Sequence, residues 1–330
     1  MRKINEKIPA FIKEYIREAE RKGTIFKDKI TLENIETIKE HFVKTQNDIP
    51  NFLKMCDYNP DLDNLIIVGD IHGDLKSFKK AIRPFLDGKV EGIIFLGDYV
   101  DRGPQSLECL LLVASLSISW PRKIIPLRGN HEDIENNARY GFKDDLRKRF
   151  LHKEFFNRAI EEIDQIYNYF SLAVLTNQRS LCVHGGIPKG MDNFQMLNKI
   201  PKPHFKLATK FKDEERGIRQ KLHEFMEQIR WNDPIENRTK EFSPSFRGFD
   251  FYKFNMEALE HVLEKNNAKR LIRAHESSRG GYEKMFEGKL IHIFSAEPYY
   301  GQVRKASVLQ EKGKDTSILR DLDFKKIKKF

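Results

Sequence analysis

The chain has 330 residues, of which 39% are hydrophobic and 33% are charged, and its formal net charge is +10. A chain of this length forms one large domain or two ordinary ones, and its 25 phenylalanines suffice for a substantial core. The basic residues are spread along the whole chain, which is typical of a solvated surface and argues against nucleic acid as a partner.

The cysteines and the apolar segments indicate where the protein resides. Cys56, Cys109 and Cys182 are an odd, widely spaced set without a CxxC pair, so we expect no disulfide framework and a reducing compartment. The N-terminal residues carry charges throughout and lack the apolar core of a signal peptide. The longest apolar stretch, from Leu107 to Trp120, contains Glu108 and is too short to span a bilayer. We therefore predict a cytoplasmic protein that does not enter a membrane.

The first 64 residues are predicted to form two helices. The first covers residues 8–19, and the second begins at Thr31 as its N-cap. Each helix has one apolar stripe at helical spacing, formed by Ile8, Phe11, Ile12, Tyr15, Ile16 and Ala19 in the first and by Leu32, Ile35, Ile38 and Phe42 in the second. Because such stripes need an apolar surface to cover them, we expect residues 1–64 to pack on the core.

From residue 65 onward, β-branched runs alternate with helical patterns, which predicts a fold of the α/β (α+β) class. The predicted elements are strand 65–69, helix 75–86, strand 92–97, a helix from Pro104 to residue 118 and strand 123–127. Later runs favour antiparallel strands, with a charged helical stretch at 205–230 between them; these runs are 170–174, 180–183, 270–273 and 290–294. No linker interrupts the pattern, so we predict one compact core over 65–305 and a basic tail at 306–330.

Three short polar blocks directly follow three of the predicted strands. They are Gly69-Asp70-Ile71-His72-Gly73, Gly97-Asp98-Tyr99-Val100-Asp101-Arg102-Gly103 and Gly129-Asn130-His131-Glu132. Two further blocks, Val183-His184-Gly185-Gly186 and Arg273-Ala274-His275-Glu276, follow later strands. Loops at the carboxyl ends of neighbouring strands converge on one site in open α/β sheets. A single Gly-Asp after a strand usually marks only a turn, but five such blocks in one chain indicate a shared site.

The blocks supply the oxygen and imidazole donors that suit a pair of divalent transition metals. The predicted metal ligands are Asp70, His72, Asp98, Asn130, His184 and His275. If Asp98 bridges the ions, Asp70 and His72 complete the first coordination group, and the remaining three residues complete the second. Two ions that share a carboxylate can bind phosphate oxygens and a bridging water. Manganese, iron and zinc all suit these donors, and manganese is favoured for a recombinant sample.

Four further residues are predicted to act on a phosphorylated substrate. His131 follows a metal ligand and suits a general acid that protonates a leaving alkoxide. Asp101, three residues after Asp98, is expected to orient that imidazole. Arg102 and Arg247 are candidates to bind phosphate oxygens through their forked guanidinium groups, although an arginine in a loop is usually a solvated surface charge.

The blocks resemble the pattern of the phosphoprotein phosphatases, the family of metal-dependent serine/threonine protein phosphatases. The family pattern GDxHG, GDxVDRG and GNHE is matched in full at residues 69–73, 97–103 and 129–132. Segments 139–142, 231–234 and 294–301 are similar to further family motifs, so that the resemblance covers most of the chain. The chain departs from the family at two places: Tyr300 stands where the family has cysteine, and Glu297-Pro298 stands where it has Pro-Asn.

The resemblance implies a calcineurin-like metallophosphoesterase fold, a central β-sandwich flanked by helices with two metal ions at one edge. It supports the roles assigned above and adds Asn130 and Tyr299 as substrate contacts. The predicted function is hydrolysis of serine/threonine phosphomonoesters in proteins by direct attack of a hydroxide held by two metal ions. Phosphoproteins are the predicted substrates, and regulatory subunits are further candidate partners.

Three alternatives stay open at this point. A diadenosine tetraphosphate hydrolase would share the metal ligands, but that family lacks the aspartate found here as Asp101. Another metallophosphoesterase, such as a nuclease or nucleotidase, accounts less well for Arg102 and Arg247. A non-catalytic binding module would be expected to have lost ligands, and none of the six is missing.

Overall fold

The computed structural model describes residues 2–6, 8–21, 30–208, 213–236, 239–297, 299–300, 305–313 and 316–330. The helices in these residues are α1 (Ala10–Glu20), α2 (Leu32–Gln46), α3 (Met55–Tyr58), α4 (Leu75–Leu86), α5 (Ser106–Ser119), α6 (Ile134–Tyr140), α7 (Phe142–Arg149), α8 (Lys153–Tyr167), α9 (Asp213–Trp231) and α10 (Met256–Lys265). The strands are β1 (Phe52–Lys54), β2 (Asn64–Val68), β3 (Gly92–Phe95), β4 (Ile124–Pro126), β5 (Ala173–Leu175), β6 (Ser180–Val183), β7 (Asp233–Pro234), β8 (Phe242–Pro244), β9 (Tyr252–Phe254), β10 (Arg270–Arg273), β11 (Tyr282–Met285), β12 (Leu290–Ile293), β13 (Ser307–Lys312), β14 (Thr316–Asp321) and β15 (Lys326–Lys329).

The three apolar runs that precede the first polar blocks form parallel neighbours in one six-stranded sheet. Its order is β15-β14-β13-β2-β3-β4, with β2, β3 and β4 parallel and β13 antiparallel to β2. The strands predicted at 65–69, 92–97 and 123–127 are therefore confirmed; the first is shifted by one residue and the other two are shorter. Because all three strands point the same way, the loops that follow them meet at one edge of the sheet.

The second six-stranded sheet has the order β1-β5-β6-β10-β12-β11. The antiparallel arrangement predicted for the later strands is only partly right. Strand β5 is antiparallel to β6, but β6 and β10 are parallel, and so are β10 and β12. The reason is the long connection from β6 to β10, which contains α9 and α10; a crossover of this kind lets the chain return in the same direction.

The two sheets pack face to face and helices cover their outer faces, giving the predicted β-sandwich. In β2, Leu65 and Ile67 belong to the core between the sheets, while Ile66 and Val68 face the helices. A strand buried on both faces needs apolar residues without alternation, which is why these runs are continuous in the sequence. A separate core lies on the outer side of the second sheet, beneath α9 and α10.

The N-terminal helices contribute their apolar faces to the main core. Ile12, Tyr15 and Ile16 are buried, and the Tyr15 hydroxyl donates to the carbonyl oxygen of Glu108 in α5 at 2.9 Å. Thr31 caps α2, and its side chain accepts from the amide of Asn34, whose own side chain accepts from the amide of Thr31. The apolar stripe of each helix therefore lies against this core.

A helix start and the C-terminal region also differ from the prediction. Helix α5 begins at Ser106 and not at Pro104, because the amide of Gln105 donates to the carbonyl oxygen of Gly73 and holds this turn outside the helix. Residues 306–330 do not form a separate tail: β13, β14 and β15 complete the first sheet. Their lysines dominate the composition, but apolar residues such as Leu309 and Leu319 face the core between the sheets.

Candidate metal centre and active site

The five polar blocks come together where the strands of both sheets end. Asp70 follows β2 and forms an isolated parallel bridge with Phe294, which follows β12. His184 follows β6, and the amide of Ala274, after β10, donates to the carbonyl oxygen of His184 at 2.9 Å. The site is thus built from loops of both sheets.

The blocks at 97–103 and 129–132 are in close contact at Gly129, and the carboxylate of Glu132 links them by hydrogen bonds. A Cβ on Gly129 would lie 2.2 Å from Asp98 Oδ1, so only glycine lets the two loops approach this closely. The carboxylate of Glu132 is buried and accepts from the amides of Asp98, Tyr99 and Gly129, each at 2.8 Å. Glu132 therefore fixes the position of Asp98 relative to Asn130.

The backbone is strained at the same place. Non-glycine residues rarely adopt positive φ, and each such residue costs of order 1–3 kcal/mol. Residues of this region with positive φ are His72 (46°), Asp98 (56°), Asp101 (67°), Arg102 (71°), His275 (77°) and Tyr300 (50°). Such strain persists only where the surrounding structure imposes it, and it is found most often at functional sites.

Asp98 lies between two groups of candidate ligands. On one side, His72 Nε2 is 3.6 Å from Asp98 Oδ2 and 3.8 Å from Asp70 Oδ2. His72 Nδ1 lies 3.0 Å from the carbonyl oxygen of Val100, to which it donates, so Nε2 is the atom left for a ligand. On the other side, His184 Nε2 is 3.4 Å from Asp98 Oδ1.

The second group contains Asn130, His184 and His275. Asn130 Oδ1 lies 2.8 Å from both His184 Nε2 and His275 Nδ1, and the two ring nitrogens are 3.2 Å apart. His184 Nδ1 donates to the carbonyl oxygen of Leu96 at 3.0 Å and so turns Nε2 inward. The structure brings together all six residues that the sequence singled out as ligands.

The donor atoms of this region fit divalent cations. Asp70 Oδ2 is buried and has no hydrogen-bond partner among the residues that the structure describes. Burial raises the pKa of Asp70 to about 7 and lowers the pKa of His72 to about 3. The pKa of Asp98 is also raised, by burial first and then by the charges of Asp70 and Glu132. A cation would favour the ionised carboxylates and would bind imidazoles that are already neutral.

His131 lies at the edge of the first group. Its Nδ1 donates to Asp101 Oδ2 at 2.7 Å, and Asp101 also accepts from the side chain of Asn137 at 2.8 Å and from the amide of Phe142 at 3.1 Å. Burial, and after it the charges of Arg102 and Arg247, lower the pKa of His131 to about 3. The ring is therefore fixed in direction and neutral in the free protein.

Arg102 is exposed and lies between two tyrosine rings. Its guanidinium carbon is 4.0 Å from the ring centre of Tyr140 and 5.3 Å from that of Tyr300, and it donates to the Tyr300 hydroxyl. Tyr299 stacks on His72 with 5.5 Å between ring centres. Arg102 lines a pocket of about 320 Å³ next to the metal ligands, together with His72, Tyr299 and Tyr300.

Arg247 is held by carboxylates instead. It donates to Asp233 and lies 3.6 Å from Glu276, and both of these carboxylates also bind the fully buried Arg273 at 2.7 Å. Burial acts to raise the pKa of Asp233, but the charges of Arg273 and Arg247 outweigh it and lower the pKa. Asp233, to which Arg247 donates, also has Oδ1 3.8 Å from His275 Nε2, so this guanidinium lies beside the site. Burial first, and then charges that include that of Arg247, lower the pKa values of His131 and His275.

Several supporting residues were given no role from the sequence. They are Glu132, Tyr140, Asp233, Arg273 and Glu276. Glu132, Tyr140 and Asp233 lie in segments that are similar to family motifs, and Arg273 and Glu276 lie in the polar block at 273–276, so these positions carry a signal in the sequence. Several of their contacts, such as that of Asp233 with Arg273, join segments that are distant along the chain and cannot be read from one sequence.

Comparison with known proteins agrees with this site. The family model described as calcineurin-like phosphoesterase matches residues 64–278, which include all six candidate ligands. The chain belongs to this family. The serine/threonine-protein phosphatase 4 catalytic subunit of Saccharomyces cerevisiae is 32% identical over 234 residues, which are 71% of this chain and 69% of that protein. This relative places the phosphoesterase among the serine/threonine protein phosphatases.

Two further comparisons extend the likeness. The Arabidopsis thaliana protein named serine/threonine-protein phosphatase BSL2 is 28% identical over 263 residues. These are 78% of this chain, but the chain spans only about a quarter of that protein, of which 24% is covered. A solved Saccharomyces cerevisiae serine/threonine phosphatase, described as similar to human phosphatase PP5, superposes with a TM-score of 0.71 at 26% identity. That match covers 91% of this phosphoesterase and 87% of the yeast chain.

Proposed function

We propose that this phosphoesterase hydrolyses phosphoserine and phosphothreonine in proteins with the help of two divalent metal ions. The observation that carries the proposal is the position of Asp98, with His72 3.6 Å from one of its oxygens and His184 3.4 Å from the other. A carboxylate with ligands on both sides is the arrangement that two neighbouring ions require.

The first ion would be held by Asp70, His72 and Asp98, and the second by Asp98, Asn130, His184 and His275. When bound, the ions would lower the pKa of a bound water and neutralise charge on the phosphoryl oxygens. Manganese suits this mixture of carboxylate, amide and imidazole donors, as do iron and zinc.

The phosphate would be bound by groups that surround the ligands. Arg102 and Arg247 can each contribute a forked guanidinium. Asn130 turns Oδ1 toward two histidines, which leaves its Nδ2 to donate to a phosphate oxygen. Tyr299, stacked on His72, forms the wall of the cleft beside Arg102.

His131 would protonate the leaving oxygen of the serine or threonine. Its Nδ1 is held by Asp101, so Nε2 is the atom that carries the transferred proton. Phosphate oxygens bound by Arg102 and Arg247 offset the charges that lower the pKa of this imidazole, so its affinity for a proton rises on substrate binding. The hydrogen bond from Nδ1 to Asp101 stabilises the protonated ring.

The cytoplasm is the compartment that best suits the three free cysteines, of which Cys109 and Cys182 are buried. In the part of the chain that the structure describes, no helix is long and apolar enough to cross a bilayer. Phosphoprotein substrates, and regulatory subunits as further partners, follow from the family and belong to the proposal.

The deciding experiment is phosphatase activity on a phosphoserine peptide after chelation and after addition of Mn²⁺, Fe²⁺ or Zn²⁺. We expect chelation to abolish activity and Mn²⁺ to restore it, with two ions bound per chain. Full activity in the metal-free protein would contradict the mechanism. Faster hydrolysis of diadenosine tetraphosphate than of the peptide would favour the dinucleotide hydrolase instead.

A further inference from the structure

The last turn of α9 contacts the loop that carries His184. The carbonyl groups in the last turn of a helix have no partner within the helix, so they are free to accept hydrogen bonds from elsewhere. In α9, the carbonyl oxygen of Ile229 accepts from the amides of Gly185 and Gly186, at 2.9 and 3.2 Å. These two glycines directly follow His184, so the end of α9 fixes the position of this candidate ligand.

The backbone of this loop approaches α9 so closely that it requires glycine. A Cβ on Gly185 would lie 2.6 Å from the carbonyl carbon of Arg230 and 2.7 Å from the carbonyl oxygen. The carbonyl oxygen of Gly185 also accepts from Nε of the buried Arg273 at 2.6 Å. His184 therefore has little freedom to move relative to the end of α9.

The side chain of Arg230 extends from the same helical turn to a second loop of the site. It is fully buried, and its Nη1 donates to the carbonyl oxygen of Gly129 at 3.3 Å. Its Nε donates to the carbonyl oxygen of Met226 at 3.2 Å, and its Nη2 donates to Glu227, so the guanidinium has a fixed orientation. The carbonyl of Gly129 belongs to the peptide group that joins it to Asn130. The hydrogen bond from Arg230 therefore constrains the backbone from which the Asn130 side chain projects.

Two candidate ligands of the second ion are thus connected to one helical turn. Asn130 Oδ1 lies 2.8 Å from His184 Nε2. Ligand atoms that lie about 2.0–2.2 Å from one ion are roughly 3 Å from each other, so this separation suits a shared ion. His72, a candidate ligand of the first ion alone, is held from another segment, because its Nδ1 donates to the carbonyl oxygen of Val100. The end of α9 therefore acts on the second ion in particular.

We propose that Arg230 is a positioning residue for the second metal ion. Together with the carbonyl group of Ile229, its guanidinium keeps Asn130 and His184 at the separation that this ion needs. This role rests on the two-metal site of the proposed function, and it belongs to a residue that binds neither an ion nor the substrate. Partners that orient metal ligands without contacting the metal contribute about 10–100-fold to its affinity. Loss of Arg230 should therefore weaken the binding of one ion of the two.

The test measures binding of Mn²⁺ to the metal-free full chain by isothermal titration calorimetry. Arg230→Met keeps an apolar stem in the buried position but removes every donor. We expect the second ion to bind about 10–100-fold more weakly in this variant and the first ion to bind with unchanged affinity. Arg230→Lys retains a donor and should restore part of the affinity. Electron paramagnetic resonance gives a second readout, because two Mn²⁺ ions that share a carboxylate give a coupled spectrum, whose intensity should fall in Arg230→Met.

Two further variants separate positioning from a general loss of stability. The double substitution of Arg230→Met with Glu227→Gln also removes the carboxylate that the single variant leaves unpaired, so folding does not depend on a lone charge. It should weaken the second ion to the same extent. Arg149→Met is the matched control, since it removes a largely buried arginine that pairs with the buried Glu108 at 2.6 Å elsewhere in the fold. This control should lower the melting temperature and leave both ion affinities unchanged.

The outcomes distinguish this role from the proposed function. Equal affinity for the second ion in the wild type and in both Arg230→Met proteins would overturn the role of Arg230. An equal loss for both ions, or a loss of the second ion in Arg149→Met, would overturn it as well, because either result would show a general effect. If the wild type binds two ions but hydrolyses no phosphopeptide, a weaker second ion in Arg230→Met still supports the role and counts against the proposed function alone. A wild type that binds a single ion would overturn both.

Discussion

The two halves of the site come from different sheets and are supported in different ways. In the half that follows the first sheet, His72 donates to a backbone carbonyl, His131 donates to Asp101, and Arg102 lies between tyrosine rings. In the second half, which is built from the end of β10 and from the small sheet of β7, β8 and β9, Arg247 belongs to an ion-pair network with Asp233, Arg273 and Glu276, of which Asp233 and Arg273 are buried. Loss of a partner in such a network leaves a buried charge unpaired, whereas loss of an exposed arginine does not. Substitutions in the first half should therefore change rates, and those in the second half should change stability as well.

The largest effect on rate is expected in the first half. His131→Asn should lower kcat by about 10²–10⁴-fold, the usual contribution of a general acid, with no loss of thermal stability. Two ions per chain should remain bound, as measured by metal analysis of the purified variant. Asp101→Asn should act in the same direction. If the metal content fell in step with activity, His131 would be a ligand, a role that its distance to His72 and Asp98 permits.

The largest effect on stability is expected in the second half. Asp233→Ala leaves Arg273 buried without one of its two carboxylates and should lower the free energy of unfolding by about 3–5 kcal/mol. Because the pKa of Asp233 lies below its usual 3.8, its contribution is present above about pH 4 and is lost as the pH falls further. Urea titrations at several pH values should show that acid destabilisation in this range is weaker in the variant. An unchanged unfolding free energy at pH 7 would mean that the network does not stabilise the fold.

The two arginines allow the sharpest comparison. Arg102→Ala and Arg247→Ala should each raise KM and lower kcat, with kcat/KM reduced by about 10–100-fold, the range for a hydrogen bond to a charged group. Only Arg247→Ala should also lower the melting temperature, since Asp233 and Glu276 lose a partner. Lysine at either position should restore activity only in part. Equal melting temperatures for both alanine variants would remove the distinction between the halves.

The smallest effect is expected at Tyr300. Tyr300→Phe keeps the ring beside Arg102 but removes its hydroxyl, which should raise KM by about 2–10-fold, as for a single hydrogen bond. Tyr300→Cys restores the residue of the family and also removes the ring, so its effect should be larger. In an Arg102→Ala background Tyr300→Phe should have no further effect, and an equal effect in both backgrounds would show that Tyr300 does not act through Arg102.

How much of the site the sequence predicts depends on the distance along the chain over which each contact forms. Asp70, Asp98 and Asn130 lie directly after strands that are apolar without alternation, so their meeting at one edge follows from strand direction. The contact of His131 with Asp101 could likewise be inferred, because His131 follows a ligand directly and Asp101 lies three residues after another. By contrast, two hydrogen bonds depend on loop conformations that no local sequence pattern specifies: Arg102 donates to Tyr300, and Arg247 donates to Asp233.

In the fold, too, pairings of strands that are close in sequence could be predicted, and pairings across long connections could not. The parallel order of β2, β3 and β4 follows from alternation of strand and helix, whereas the parallel pairing of β6 with β10 depends on a long crossover. The strands at the C-terminal end were missed because their lysines outweighed a short apolar pattern. The burial of apolar residues such as Leu309 in these strands follows only from the pairing of β13 with β2.

That pairing has a consequence for synthesis of the protein. Gln310 donates to Asn64 across 246 residues of chain, and β13 covers the flank of the strand that delivers Asp70 and His72. Translation adds roughly 5–20 residues per second, so β2 waits many seconds after leaving the ribosome before its neighbour exists. During that interval one edge of the apolar strand β2 is open to other nascent chains. We therefore expect the nascent polypeptide to bind chaperones.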